Sequence, residues 1–245
     1  MQLLYPDCRP TSPAELAARL RLAEKAPPER PYLILNMVSS LDGKATIEWR
    51  TKGLSTDLDR ELFHRLRTQV DAVMVGAGTV RTERYGRVTK SDELRQARVD
   101  EGLSPDPRAV VVSARLDLPA DLPLLNEPEQ QVVIATGSDA SLPDMGDQVV
   151  YERTGEDLPL LMARLRERHG VRSVLCEGGP TLNSHLLSAG LVDELWLTLN
   201  PKLAGGAAAL TIVAGRELVE PLELEPISVA EGGGDLFTRW RVRRA

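Results

Sequence analysis

At 245 residues, 42% hydrophobic and 27% charged, the chain has an ordinary globular composition, with length for one large domain or two small ones. A formal net charge of -6 and the lack of a strong basic run argue against a nucleic-acid partner, which needs a cationic face. Two distant cysteines, Cys8 and Cys176, argue against a disulfide scaffold or a cysteine zinc site. No stretch approaches the ~20 apolar residues of a membrane helix, so a cytoplasmic protein is expected.

Residues 1–30 read as a helical extension and 31–245 as a single domain. Ser12-Pro13-Ala14-Glu15 is a capping box with proline at the first helical position, followed by Leu16, Leu20 and Ala23 on one face. Pro27, Pro28 and Pro31 close that segment. Tyr32–Val38 is a mostly apolar run, as expected of a strand buried on both faces. Thr56-Asp57-Leu58-Asp59 opens a helix whose core stripe is Leu58, Leu62, Phe63, Leu66 and Val70. Ala72–Val75 is a short strand ending in the glycine-rich turn Gly76-Ala77-Gly78-Thr79.

The charged, Gly- and Pro-punctuated residues 81–107 read as a long surface excursion. Ala109–Val112, Val132–Ala135 and Val149–Tyr151 are further strands. Leu158, Leu161, Met162 and Leu165 mark a helix stopped at Gly170. Ser173–Cys176, a short helix over Thr181–Ala189 and a strand at Glu194–Leu199 follow. Leu222–Ala230 and Leu236–Val242 form a hairpin across Gly232-Gly233-Gly234. Strands alternating with helices imply a mostly parallel sheet covered on both faces.

Ligands of open α/β sheets bind beyond the carboxyl ends of the strands, and three segments fall there. In Cys176-Glu177-Gly178-Gly179-Pro180-Thr181-Leu182, Gly179 takes the N-cap and Pro180 the first helical position. The N–H groups of Thr181 and Leu182 then suit an anion, although a tight turn needing glycine for geometry alone fits equally well. In Gly76-Ala77-Gly78-Thr79, Arg81 replaces the last glycine of a dinucleotide fingerprint, leaving a turn with a hydroxyl for a phosphate. Ser39-Ser40-Leu41-Asp42-Gly43-Lys44 reads first as an Asp-Gly turn, and otherwise as placing Asp42 near a ligand as acceptor or anchor. His64, His169 and His185 fit no metal or triad pattern, and no nucleophile elbow supports a hydrolase.

Three ordered blocks resemble one family. They are Arg30-Pro31-Tyr32 with Ser40-Leu41-Asp42-Gly43-Lys44, then Phe63–Arg67 with Val70–Val80, and then Glu177–Leu182 with Val192–Leu195 and Pro201–Gly206. Together they resemble the reductase domain of bacterial riboflavin biosynthesis over about residues 30–243. The resemblance implies a dihydrofolate-reductase-like three-layer α/β fold, a mostly parallel central sheet ending in a C-terminal antiparallel hairpin, an NADPH cofactor and a homodimer. It implies reduction of the ribosyl C1′ of a ribosylaminopyrimidine phosphate, as in a 5-amino-6-(5-phosphoribosylamino)uracil reductase, with hydride passing from nicotinamide C4.

By position, the resemblance gives Val38, Ser39, Gly53, Gly76, Gly78, Thr79, Glu83, Ser113, Gly178, Gly179, Pro180, Thr181 and Leu182 to the cofactor. It gives Thr51, Arg67, Arg87, Lys90 and Glu177 to the substrate, with Glu177 and Asp42 as catalytic groups. Arg81, Arg84 and Arg115 are the cations available to a 2′-phosphate. One stretch departs from the family: its usual Asp-Asn/Asp-Pro-x-Leu-Thr-x-Arg run is Glu83-Arg84-Tyr85-Gly86-Arg87-Val88-Thr89-Lys90 here. The departure leaves two alternatives open, reduction of dihydrofolate or another pterin-like ring, and NADPH binding without catalysis. No deaminase block precedes residue 30, so the reductase half alone is expected.

Overall fold

The buried apolar runs of the sequence become the middle of one extended sheet. The computed structural model describes residues 1–47, 53–206, 210–215 and 217–243. Among these, the strands are β1 Gln2–Tyr5, β2 Arg9–Pro10, β3 Tyr32–Ser40, β4 Ala72–Gly76, β5 Arg108–Val112, β6 Val132–Thr136, β7 Val149–Arg153, β8 Ser173–Cys176, β9 Glu194–Asn200, β10 Leu224–Gly232 and β11 Asp235–Val242. They form one sheet in the order β2-β1-β10-β11-β9-β3-β8-β4-β5-β6-β7. From β9 through β3 to β7 every pairing is parallel, and the β10–β11 hairpin joins antiparallel to β9. The expected α/β architecture, parallel centre and closing hairpin are therefore observed.

The helices are α1 Pro13–Leu16, α2 Asp57–Arg67, α3 Ala77–Glu83, α4 Asp92–Asp100, α5 Leu158–His169 and α6 Pro180–Ser188. Strand alternation divides the core in two. Ile34, Val73, Val75, Val111 and Ile134 pack with Leu62 and Leu66 of α2. Their neighbours Leu33, Leu35, Met74, Val110 and Val133 pack on the other face with α5 and α6. This is the three-layer arrangement: helices on each face of a sheet apolar on both sides.

Three expectations are corrected. Residues 1–30 are not simply helical. The Ser12 cap is made, its hydroxyl accepting from Glu15 N at 3.2 Å, yet α1 ends at Leu16 and a 3₁₀ turn covers Leu22–Lys25. Ahead of α1, β1 pairs with β10 and extends the sheet. The segment Gly76–Thr79 is the start of helix α3 with Gly76 as N-cap, not a free turn.

Residues 81–107 are also more than a surface excursion. They hold α4, capped by Ser91, and the fully buried Arg98, which donates to Arg67 O at 2.5 Å and to Val70 O at 2.8 Å. A buried guanidinium thus satisfies carbonyls at the carboxyl end of α2 that the helix itself leaves open.

The carboxyl ends of β3, β4 and β8 lie side by side. Glu177 N donates to Met74 O at 2.9 Å, and Gly76 N donates to Gly178 O at 2.7 Å. These bonds fasten the segment after β8 to the end of β4 and bring the glycine-rich segments together.

Candidate active site

Two cavities open at these strand ends. The first, of about 650 Å³, is lined by Gly76–Thr79 of α3, by Ser113–Arg115 beyond β5, and by Gly179–Leu182 and His185 of α6. The amino ends of both helices face it. Their N-caps are Gly76 and Gly179, and neither cap supplies a side-chain hydrogen bond, so the first N–H groups have no partner within the helix. Such an end attracts anions through its N–H groups and its dipole.

The glycines here have separate reasons. A Cβ at Gly179 would stand 2.8 Å from Thr79 Oγ1, and one at Gly76 would stand 3.3 Å from Gly179 N, so those two glycines let α3 and the α6 turn approach. A Cβ at Gly78 would meet nothing within 4 Å. Gly78 keeps open the space of the cavity it lines. The residues present therefore fit a large anionic ligand with a pyrophosphate.

The second cavity, of about 570 Å³, is lined by Asn36–Val38 at the end of β3, by Asp59, Arg60, Phe63, His64 and Arg67 of α2, and by Glu83–Arg87 and Lys90. Met37, Ala45, Thr79, Glu83 and Glu177 line both cavities and form the boundary between them.

Glu177 is the best-held side chain at that boundary. Arg67 Nε donates to its Oε1 at 2.7 Å, Arg67 Nη2 to its Oε2 at 2.8 Å, and the Tyr85 hydroxyl to its Oε2 at 2.7 Å. The third arm of Arg67, Nη1, donates to Val88 O at 2.6 Å, and the Phe63 ring lies 4.2 Å from the guanidinium carbon. Burial and the neighbouring Glu177 charge raise the Tyr85 pKa well above the usual phenol value, so its hydroxyl stays protonated and donating. Burial and the Arg67 charge lower the His64 pKa, which favours neutral imidazole.

The RibD C-terminal domain family matches residues 31–238. The chain belongs to this family. Over 211 residues it is 34% identical to the 2,5-diamino-6-ribosylamino-4(3H)-pyrimidinone 5′-phosphate reductase of Archaeoglobus fulgidus, covering 83% of this chain and 95% of the relative. Over 222 residues it is 32% identical to the reductase of the same name from Methanothermobacter thermautotrophicus, covering 87% and 99%. A pyrimidine reductase-like protein from Corynebacterium diphtheriae shares the fold, with a TM-score of 0.75 at 22% identity, covering 96% of this chain and 100% of that one.

Against the family expectations, Gly76, Gly78, Thr79, Glu83, Ser113, Gly179, Pro180, Thr181 and Leu182 all line the first cavity. Three other expected cofactor residues line neither cavity. Ser39 is buried with its hydroxyl donating to Ser40 O, Gly53 O accepts from Lys202 Nζ at 2.7 Å, and Gly178 O is taken by Gly76 N. Val38 lines the second cavity instead. Thr51 lies outside the described residues.

Asp42 is corrected too. It stands outside both cavities and binds Ser40 Oγ at 2.5 Å, Ala204 N at 3.0 Å and Gly205 N at 2.7 Å, bonds that hold its carboxyl far below the usual range. It anchors the loop after β9.

Arg67 lines the second cavity as expected, and each of its three nitrogens donates to Glu177 or Val88, so it holds Glu177 in place. Arg87 also lines it and pairs with Asp106 at 2.8 Å and Glu129 at 2.5 Å. Lys90 is exposed at the same cavity, with no ion pair among the described residues. Of the 2′-phosphate cations, Arg81 and Arg115 line the first cavity and Arg84 the second; Arg81 is paired with Asp117 at 3.0 Å.

Met37, Asp59 and Tyr85 are the site residues missed in the sequence. A face of α2 repeating every four residues, Asp59-Phe63-Arg67, was readable. Nothing local distinguishes Tyr85 or Met37.

Proposed function

We propose that this chain is an NADPH-dependent reductase of a ribosylaminopyrimidine phosphate in riboflavin biosynthesis. The observation that carries the reading is the boundary of Met37, Ala45, Thr79, Glu83 and Glu177 shared by two cavities of different chemistry. One cavity offers open helix ends and a bare glycine, which suits a dinucleotide. The other offers an aromatic ring, carboxylates and cations, which suits a polar heterocycle bearing a phosphate. A ligand in each would bring two reacting atoms together at the boundary, and holding reactants in register is the larger part of such catalysis.

The bound cofactor would supply a hydride from its nicotinamide C4. The chain would supply placement. Gly78 and the open ends of α3 and α6 would seat the pyrophosphate, Thr79 would reach both ligands, and Glu177, fixed by Arg67 and Tyr85, would accept a hydrogen bond at the reacting side. Exposed Lys90 would meet the substrate phosphate. Membership of the RibD C-terminal domain family and the names of the two archaeal relatives support this reading.

The test is incubation of the purified protein with NADPH and the ribosylaminopyrimidine phosphate, followed at the nicotinamide absorbance. Oxidation coupled to a product two hydrogens heavier is expected; background rates across both nicotinamide cofactors would reject the reading. A homodimer and a cytoplasmic location belong to the same proposal, the first checked by light scattering and the second by cell fractionation.

A further inference from the structure

Asn183 is fully buried in α6, every polar atom of its side chain has a partner, and the reductase reading gives it no part. Its Nδ2 donates to Met37 Sδ at 3.2 Å and to Ile212 O at 2.8 Å. Its Oδ1 accepts from Cys176 Sγ at 3.7 Å. Burial pushes the Cys176 thiol up to about 12, so it stays protonated and able to donate. A carboxamide offers N–H groups on one side only, and this orientation sets them against the Ile212 carbonyl and the thioether, which both accept.

Two of these partners belong to the wall of the first cavity. Met37, near the end of β3, lines both cavities at their boundary. Ile212 sits in residues 210–215, which lie along α6: Ala214 N donates to Pro180 O at 3.1 Å, and a Cβ at Gly215 would stand 2.6 Å from Ser184 Oγ. The other end of this segment is fastened beside the boundary, where Ala45 N donates to Leu210 O at 2.7 Å. Met37, Ala45 and Leu210, all apolar, line the first cavity. One buried amide thus ties α6 both to Met37 and to the segment that carries Leu210.

Resting on the reductase reading above, we propose that Asn183 is a positioning residue for the cofactor's nicotinamide ring, holding Met37 and the Leu210 segment as the apolar wall on which that ring lies. A methionine side chain turns about three bonds and adapts to what it meets, so by itself it does not fix the place of a ring. An N–H held on its sulfur removes that freedom. The thioether is also a favourable neighbour for a flat ring. Asn183 N donates to Gly179 O at 3.0 Å, so the side chain stands one turn from the open end of α6. The helix whose end suits the pyrophosphate therefore also sets the distance to the ring wall. Asn183 acts through Met37 and Leu210.

The test is calorimetry of the whole chain with two probes, NADPH and 2′,5′-ADP, which has the adenosine end and the 2′-phosphate but no nicotinamide. The gain in nicotinamide emission on NADPH binding is read alongside. Asn183→Leu keeps the shape of the side chain and removes its hydrogen bonds. It is expected to weaken NADPH about 10-fold and abolish the emission gain, while 2′,5′-ADP stays within about 2-fold of wild type. Equal weakening of both probes overturns the proposal, because damage to the fold would do the same. Unchanged NADPH affinity and emission also overturn it. Met37→Leu, which leaves α6 intact and takes away only the sulfur acceptor, reads the same link should Asn183→Leu fail to fold; unchanged NADPH affinity and emission in that variant overturn the proposal too. A wild type that does not bind NADPH removes the cofactor and this proposal together. Neither readout needs the pyrimidine, so a failure of turnover bears on the reductase reading alone.

Discussion

Arg67 and Glu177, 110 positions apart at the ends of α2 and β8, close on each other through two parallel hydrogen bonds of 2.7 and 2.8 Å. Both side chains are buried and both line the second cavity. Each fixes the other, and Tyr85 and Val88 from the following segment complete the set. The stretch that has lost the family's usual motif thus supplies two of the groups that position this pair.

Removing one partner leaves a buried charge behind, which typically destabilises by about 3–5 kcal/mol. Glu177→Ala is expected to fall in that range in urea denaturation. Tyr85→Phe keeps the ring and loses one bond to a charged group, about 1.5–3 kcal/mol. The Tyr85→Phe and Glu177→Gln changes should be coupled in a double-mutant cycle by more than about 0.5 kcal/mol. Simple additivity would mean the hydroxyl bond contributes nothing in solution.

Gly78 separates folding from binding. Its Cβ position is open, and it lies within α3, where alanine is favoured over glycine by roughly 0.5–1 kcal/mol. Gly78→Ala should therefore unfold at equal or higher temperature while its NADPH affinity, read by calorimetry, falls at least about 10-fold, or 1.4 kcal/mol. Unchanged affinity would move the pyrophosphate away from this helix.

Much of the fold was legible because its signals are local. Ser12, Thr56 and Gly179 were visible at helix starts, and all three serve as N-caps. The continuous apolar runs of β3 to β6 and β8 could only be strands covered on both faces. Helix α4 was missed although Ser91, followed by Asp92 and Glu93, is a usable start signal; its charged surface hid the buried Arg98, which ties it to α2. At the site, the glycine turn at 178–179 announced itself, whereas the roles of Arg67 and Asp42 depended on partners 110 and 162 residues away. Spacing along a chain carries no record of such meetings.

Arg115 is an exposed cation of the first cavity with no ion pair among the described residues, whereas Arg81 is tied to Asp117. A free guanidinium is the better match for a 2′-phosphate. Arg115→Ala should raise KM for NADPH by about 10-fold or more, which is 1.4 kcal/mol, and leave KM for NADH nearly unchanged. Equal effects on both cofactors would place the 2′-phosphate elsewhere.

The raised pKa of Asp59 predicts a stability signature. The native state holds the Asp59 proton more tightly than the unfolded chain, whose value is near 3.8. The native state's advantage from this group is complete below about that pH and is lost as pH rises toward and through the higher native value. Asp59→Asn should accordingly be more stable than wild type at pH 7, with the gap closing toward pH 4. An Asn variant less stable at pH 7 would show that the hydrogen bonds of Ser55 and Thr198 to Asp59 outweigh burial.

The central claim is that hydride crosses from one cavity to a sugar carbon in the other. Its most direct measurement uses NADPH deuterated at nicotinamide C4, on the face transferred, with the ribosylaminopyrimidine phosphate and NMR of the product. One deuterium at C1′ of an opened ribityl chain is the expected result. Deuterium on the heterocycle, or oxidation of cofactor without transfer to substrate, would contradict the account.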